Sequence, residues 1–229
     1  IADVVDLTGE GLGDGNGHGT HCAGIAAGSG AASGGRYRGV APAATLYSAK
    51  VLKASGDGMM SDVMAGVEWA QSQGARVISL SLGNTGPSDG NDLLSITCDA
   101  AVEQGCVVVV AAGNDGPLAR TIGSPGASRR AITVGASNDQ DAIANFSSRG
   151  PTSDGRQKPD LVAPGVEIIA ARAKGTSIGP AVNEWYASAS GTSMATPLVA
   201  GVVTLLLQAD PALTPAEIKQ RLQESAIDL

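Results

Sequence analysis

Two short segments carry the side chains best suited to chemistry. His18 lies in segment 16–24, NGHGTHCAG, and Ser193 lies in segment 191–197, GTSMATP. A serine hydroxyl is a poor nucleophile until a neighbouring imidazole takes its proton. Small residues around both groups let a substrate backbone come close without a steric clash. The pair therefore predicts acyl transfer on a serine, provided that the fold brings the two segments together.

A third polar side chain, Asn114, follows the apolar run 106–111. Such a run is expected for a strand buried on both faces of a parallel sheet, and ligands bind at the carboxyl ends of such strands. The Asn114 amide could then donate a hydrogen bond to a developing oxyanion. The alternative is an ordinary turn asparagine before Asp115 and Gly116.

Ser193 lies at the start of the apolar run 192–208, which predicts a central buried helix. The start of a helix leaves free N–H groups and the positive end of the helix dipole, and both favour a negatively charged oxygen. Pro197 is expected in the first turn, where a missing N–H costs little. Gly201 is expected to let the helix pack closely against a neighbour.

Taken in the order His18, Asn114 and Ser193, the three segments resemble those of subtilisin-like serine proteases, the subtilases of peptidase family S8. The resemblance covers most of the chain. It implies that His18 is the general base, that Ser193 is the nucleophile, and that Asn114 and the Ser193 N–H bind the oxyanion. The implied reaction is hydrolysis of peptide bonds in proteins through an acyl-enzyme, with no cofactor required for the chemistry.

The resemblance also implies where a peptide would bind. Two segments would pair with an extended peptide as added strands, and a third would line the pocket for the residue before the cut. Because backbone pairing needs no particular side chain, broad specificity is expected. The implied substrate-binding residues are Gly56, Asp57, Gly58, Ser81, Leu82, Gly83, Ala112 and Gly113.

One part of the family's site has no clear match. The family needs an aspartate that holds the tautomer of the histidine. Asp6 lies in VVDLTG (4–9), only 12 positions before His18 (18 − 6), and Asp14 lies in the glycine-rich loop before the histidine. We therefore interpret Asp3, Asp6 and Asp14 as strand and loop residues and expect the catalytic aspartate upstream of residue 1. On this interpretation residues 1–229 form one subtilisin-like domain that is cut at both ends.

Strand-like and helix-like segments alternate along the chain. This order predicts an α/β fold with three layers, in which a mostly parallel central sheet has helices on both faces. Thr214, Pro215 and Glu217 form a capping-box pattern at the start of the last helix, and Ser61 is expected to cap an earlier one. Strands are predicted at 45–52, 77–82, 106–111, 131–135 and 166–170, and helices at 61–73, 93–104, 192–208 and from 214 onward.

Composition limits the other possible functions. The net charge of −7 argues against a nucleic-acid partner. No uninterrupted run of 18 apolar residues is present, so no membrane partner is expected. The three cysteines are expected to be buried thiols, with a bridge between Cys98 and Cys106 left open. If Cys22 lies beneath His18, a bulky thiol reagent should block activity.

No metal ligand is assigned from the sequence. His18, His21, Cys22 and Asp14 cluster but lack a recognised zinc pattern, and His21 is expected to be a packed structural residue. Structural calcium is compatible with the family, but the loop at 28–39 contains no acidic residue.

The resemblance further implies a protein or peptide substrate, the protein's own propeptide as a partner, a monomer, and an extracellular location. The alternative function is a catalytically inactive fragment or pseudo-protease that acts as a peptide-binding module.

Overall fold

Strands and helices alternate from the first strand to residue 111, after which four more strands and two helices follow. The structure is a computed structural model that describes residues 1–229. In chain order the elements are β1 (Asp3–Asp6), α1 (His18–Ala27), β2 (Tyr47–Lys50), α2 (Met60–Ser72), β3 (Val77–Leu80), α3 (Leu93–Glu103), β4 (Val107–Ala111), β5 (Ile132–Ser137), β6 (Leu161–Pro164), β7 (Ile168–Ala171), β8 (Tyr186–Ala189), α4 (Thr192–Ala209) and α5 (Pro215–Ser225), with a 3₁₀ turn at Ala31–Ser33.

Four parallel strands form the central sheet in the order β3-β4-β5-β6. The inner strand β4 reads VVVVA and is buried throughout, because helices cover both of its faces. Val107 and Val109 pack with α4 and α5 on one face. Val108 and Val110 pack with α2 and α3 on the other. The predicted α/β architecture, with a parallel sheet between two helical layers, is confirmed.

The central helix α4 packs along one face of the sheet and against α1. Its length and mean hydropathy of 1.5 would also suit a membrane span, but 56% of it is buried within this fold. Gly201 allows the close approach of the 24–41 region, since a Cβ at this position would lie 2.6 Å from Cβ of Val40. Pro197 lies beyond the first turn of α4, so the prediction of its place was wrong by a few residues.

A separate pair of parallel strands stands beside the central sheet. β1 pairs with β2, from Asp3 opposite Tyr47 to Asp6 opposite Lys50, and no ladder joins β2 to β3. Between β2 and β3 lies part of a larger cavity, and we call this part the slot. It is lined by β2, β3 and the α4 residues Pro197, Ala200, Gly201 and Thr204. Every residue of β2 is partly exposed, and so is Ser79 of β3, in contrast to the fully buried β4.

Two local predictions differ from the structure. The strand predicted at 166–170 starts later, as β7 at Ile168–Ala171, and it pairs antiparallel with β8 in a hairpin instead of joining the parallel sheet. Helix α2 begins at Met60, so Ser61 lies inside the helix and the predicted cap at Ser61 was wrong. The N-cap residue is Met59, whose side chain makes no capping bond, and the Ser61 hydroxyl donates to Asp62. The capping box at Thr214 and Glu217 is confirmed.

We expect Gly201→Ala to destabilise the protein. Alanine favours a helix over glycine by about 1 kcal/mol. The added Cβ would, however, lie 2.6 Å from Cβ and 3.0 Å from Cγ1 of Val40, and such overpacking costs about 1–3 kcal/mol. Chemical denaturation should show a net loss in the free energy of unfolding of about 1 kcal/mol. Gln208→Ala, at an exposed site on the same helix, should change it little. A gain in stability for Gly201→Ala would contradict the packing described.

Candidate active site

The residues predicted to form the site all line one cavity of about 1410 Å³, which also includes the slot. The cavity opens where the carboxyl ends of β3 and β4 meet the N-terminal ends of α1 and α4. The structure therefore brings together His18, Asn114, Ser193, Gly56, Asp57, Gly58, Ser81, Leu82, Gly83, Ala112 and Gly113.

His18 is the first residue of α1, and Asp14 holds the entry to that helix. The Asp14 carboxylate accepts hydrogen bonds from the Gly17 N–H (2.7 Å), the Thr20 N–H (2.8 Å) and the Thr20 hydroxyl (2.6 Å). Burial opposes the ionisation of Asp14, but the bonds from Thr20 and Gly17 outweigh it, so its pKa lies below the ordinary value. Asp14, which precedes the N-cap residue Gly17, thus satisfies free N–H groups at the start of the helix that carries His18.

No carboxylate contacts the imidazole of His18. Asp6 is used within its own turn, where it accepts bonds from the N–H and hydroxyl of Thr8 and from the Gly11 N–H. Asp3 bonds only to the neighbouring Val4 N–H. The placement of Asp3, Asp6 and Asp14 in strand and loop agrees with the interpretation made from the sequence.

The His18 ring lies against a thiol. Cys22 Sγ, one helical turn along α1, is 4.0 Å from Nδ1 and 3.9 Å from Nε2 of His18. Burial lowers the pKa of His18, the nearby His21 lowers it further, and Asp14 partly offsets both. The lowered pKa favours the neutral imidazole, which is the form that can accept a proton.

His21 has a different environment. It is fully buried, and its Nε2 contacts the Ala187 carbonyl at 3.1 Å, which ties α1 to β8. Burial also lowers its pKa. This placement agrees with the prediction of a packed structural histidine.

Ser193 lies in the first turn of α4, half-buried at the floor of the cavity. Its hydroxyl donates to the Ser81 carbonyl at 3.3 Å, and no hydrogen bond joins it to His18 in this structure. The Ser81 hydroxyl in turn donates to the Ser193 carbonyl at 2.8 Å. This reciprocal contact was not predicted, because it joins residues 112 positions apart and neither residue type signals it.

Asn114 is oriented by the start of α4. Its Oδ1 accepts from the Thr192 N–H at 2.9 Å and from the Thr192 hydroxyl at 3.0 Å. Because Oδ1 already accepts two hydrogen bonds, the amide Nδ2 is left as a free donor. It lies near Gly191, where a Cβ on that residue would be 3.6 Å from it. Asn114 is exposed to the cavity. An asparagine that only formed a local turn would bond to neighbouring backbone groups, whereas Asn114 bonds to Thr192, 78 positions away.

The segments expected to bind a peptide border the same opening. Leu82 and Gly83 follow β3, and a Cβ at Gly83 would lie 2.5 Å from the Ser124 carbonyl, so only glycine fits there. Segment 56–58 is exposed on the opposite side, and the Asn16 amide joins its loop to the approach of α1 by bonding the Ala54 carbonyl at 3.1 Å.

The cysteines are all free thiols. Cys98 and Cys106 are buried, as expected, and the bridge between them is absent. Cys22 is only partly buried and lies beside the His18 ring. No group of three or more His, Cys, Asp or Glu side chains that could hold a metal ion occurs.

Comparison with known proteins gives a consistent answer. The profile of the Peptidase_S8 subtilase family matches residues 5–229. The chain belongs to the subtilase family. It is 45% identical to serine protease AprX of Bacillus subtilis (strain 168), over 97% of this chain and 55% of that protein. It is 40% identical to subtilisin DY of Bacillus licheniformis, over 94% of this chain and 72% of that protein.

Solved subtilase structures share the fold. Sphericase superimposes with a TM-score of 0.81 at 34% identity, covering 98% of this chain and 76% of that one. A cold-adapted subtilisin-like serine proteinase gives a TM-score of 0.77 at 34% identity, covering 97% and 74%. The chain spans about half the length of several curated relatives, including AprX at 55% and subtilisin E at 51%.

We expect Cys22 to react slowly with iodoacetamide near neutral pH, although it lines the open cavity. Burial raises the pKa of its thiol to about 12, and alkylation needs the thiolate. Peptide mass spectrometry should show labelling of Cys22 that rises steeply with pH. Once labelled, the added group must displace the His18 ring and shift its NMR signals. Fast labelling at neutral pH, or unchanged His18 signals after labelling, would contradict the contact.

Proposed function

We propose that the protein acts as a serine endopeptidase. The observation that carries this proposal is the convergence of the His18 imidazole, the Ser193 hydroxyl and the oriented Asn114 amide on one cavity. Family membership supports the same activity. In this role His18 is the general base, Ser193 is the nucleophile, and Asn114 Nδ2 and the Ser193 N–H receive the oxyanion.

The proposed reaction has two halves. His18 takes the hydroxyl proton as Ser193 Oγ attacks the peptide carbonyl, and the oxyanion donors stabilise the tetrahedral intermediate. The C–N bond then breaks, and His18 gives its proton to the leaving amine. Water, deprotonated by His18, then attacks the acyl-enzyme; the ester bond to Ser193 Oγ breaks, His18 returns its proton to that oxygen, and the acid is released. All of these groups are protein groups, so the chemistry needs no cofactor.

The proposed mechanism lacks one group within residues 1–229. The family requires a carboxylate behind the histidine, and none contacts His18 here. The slot indicates where this carboxylate would lie. The slot is bordered by the unpaired edges of β2 and β3, with α4 as its floor, and His18 lines the same cavity. We infer that an additional parallel strand from the longer protein fills the slot and carries the aspartate. Residues 1–229 are then part of one subtilisin-like domain.

The substrate is proposed to bind as an extended strand. Segments 56–58 and 81–83 border the opening on two sides, and backbone pairing with them favours broad specificity. Ala112 and Gly113 give the pocket small walls. Asp115, exposed near its mouth, would favour a basic residue there.

Other features of the longer protein are proposed from its membership of the subtilase family. We propose an extracellular monomer that binds its own propeptide as it binds substrate. Structural calcium is proposed without assigned ligands, since no group of three or more His, Cys, Asp or Glu side chains could hold a metal ion.

A second candidate function has two observations in its favour. The Ser193 hydroxyl bonds to the Ser81 carbonyl instead of to His18, and His18 has no carboxylate partner. A peptide-binding module without catalysis would look the same. The intact His18, Asn114 and Ser193 argue against decay of the site, and a chemical test separates the two candidates.

We expect residues 1–229 alone to hydrolyse a fluorogenic peptide on the order of 10⁴-fold more slowly than the longer protein that carries the upstream strand. That factor is typical for loss of the carboxylate that holds the histidine tautomer. A fluorophosphonate probe should label Ser193 in the longer protein, and Ser193→Ala should abolish both labelling and hydrolysis.

Two different negative results would contradict two different parts of the proposal. Equal rates for the two proteins would contradict the inferred carboxylate strand. A longer protein that binds peptides but neither hydrolyses them nor reacts with the probe would contradict the protease proposal and favour the binding module.

We also expect the pKa of His18 to lie below its ordinary value in residues 1–229, because burial disfavours the imidazolium. A carboxylate in the slot favours the imidazolium. The pKa should therefore rise in the longer protein, and replacing the strand's aspartate by asparagine should reverse the rise. NMR titration with His21→Gln for assignment measures both values. A pKa that does not rise would show that the strand brings no carboxylate to His18.

A further inference from the structure

Helix α4 lacks one backbone hydrogen bond directly at the nucleophile. In an α-helix each carbonyl accepts from the N–H four residues later. For Ser193 that residue is Pro197, which has no N–H and whose ring also crowds the carbonyl four residues earlier. The Ser193 carbonyl is therefore left without its helical donor, in a partly buried position where a polar group still needs a partner.

Two side chains from other elements replace that donor. The Ser81 hydroxyl donates to the Ser193 carbonyl at 2.8 Å, and the Cys22 thiol, a weaker donor, approaches it at 3.4 Å. Ser81 follows β3, and Cys22 lies in α1. The backbone of the nucleophile is thus held from the sheet and from the histidine helix, where an unbroken helix would hold it only from within α4.

We propose that Ser81 is a positioning residue for Ser193, acting through the carbonyl that Pro197 leaves free. The inference rests on the proposed protease function and deepens it. A hydrogen bond to the Ser193 carbonyl fixes the peptide plane between Ser193 and Met194, and so restrains the Ser193 Cα from which Oγ and the N–H both project. Oγ must reach His18 and the N–H must reach the oxyanion, and both depend on where that Cα lies.

The bond has a second consequence for the site. Ser81 begins segment 81–83, where the substrate backbone is proposed to pair. The same residue therefore joins the nucleophile to the strand that sets the position of the scissile carbonyl. A displacement of about 1 Å between a nucleophile and its target can cost on the order of 10²-fold in rate, so this tether should affect turnover more than binding.

The test combines Ser81→Ala with Pro197→Ala in the longer protein. Ser81→Ala keeps the backbone that binds substrate but removes the hydroxyl, so kcat should fall about 10- to 100-fold with KM changed less than about twofold. Pro197→Ala supplies the missing N–H to the Ser193 carbonyl. The double variant should therefore recover most of the lost kcat, which makes the two changes strongly non-additive.

Thr97→Ala is the matched control. The Thr97 hydroxyl also donates to a helix carbonyl, that of Leu93 at 2.9 Å, but it lies on the exposed side of α3 outside the cavity. This variant should leave kcat unchanged. Ser81→Thr, which keeps the hydroxyl, should retain more activity than Ser81→Ala.

Thermal unfolding of the same variants in residues 1–229 tests the contact without requiring activity. Coupling between Ser81→Ala and Pro197→Ala in the melting temperature supports the contact even if the protease proposal fails. Additive effects on both stability and kcat would overturn the proposal. Coupling in stability with an unchanged kcat for Ser81→Ala would also overturn it, because Ser81 would then have only a structural role.

Discussion

The site depends on one constraint of the fold, which is that the starts of α1 and α4 meet the carboxyl ends of β3 and β4. Parallel strands direct all their carboxyl ends to one edge of a sheet. Asn114 reaches the first turn of α4 from the end of β4, through its bonds to Thr192. Ser81 reaches the same turn from the end of β3, through the Ser193 carbonyl. These contacts set the place of the proposed nucleophile before any substrate arrives.

Close packing between helices keeps His18 beside this turn. Small residues remove the side chains that would separate the layers: Gly201 of α4 lies against Val40, and Gly24 of α1 lies against Ala171 of β7. His21 fixes the same helix to β8 through the Ala187 carbonyl. The burial that results also lowers the pKa of His18. Packing thus determines where the proposed base lies and also favours its neutral form.

The sequence was most informative where local chemistry alone decides the structure. The continuous apolar run of β4 predicted a doubly covered strand, and Thr214 with Glu217 predicted a capping box. It was least informative where distant partners decide. An apolar segment such as β7 suits a parallel sheet or a hairpin equally, and only β8 selects the hairpin. The exchange of hydrogen bonds between Ser81 and Ser193 likewise has no sequence signal, since each serine alone is unremarkable in type.

Filling the slot would affect both the stability and the activity of the protein. β2 and β3 each present a row of backbone N–H and C=O groups with no strand partner, and unpaired edges of this kind invite association with other chains. A strand that filled the slot would satisfy both edges and cover the partly exposed residues of β2 and Ser79 of β3. If the same strand carries the carboxylate for His18, the group that completes the chemistry arrives only with the element that completes the sheet. Folding of the longer protein would then assemble the proposed triad in the same step that removes its two exposed edges.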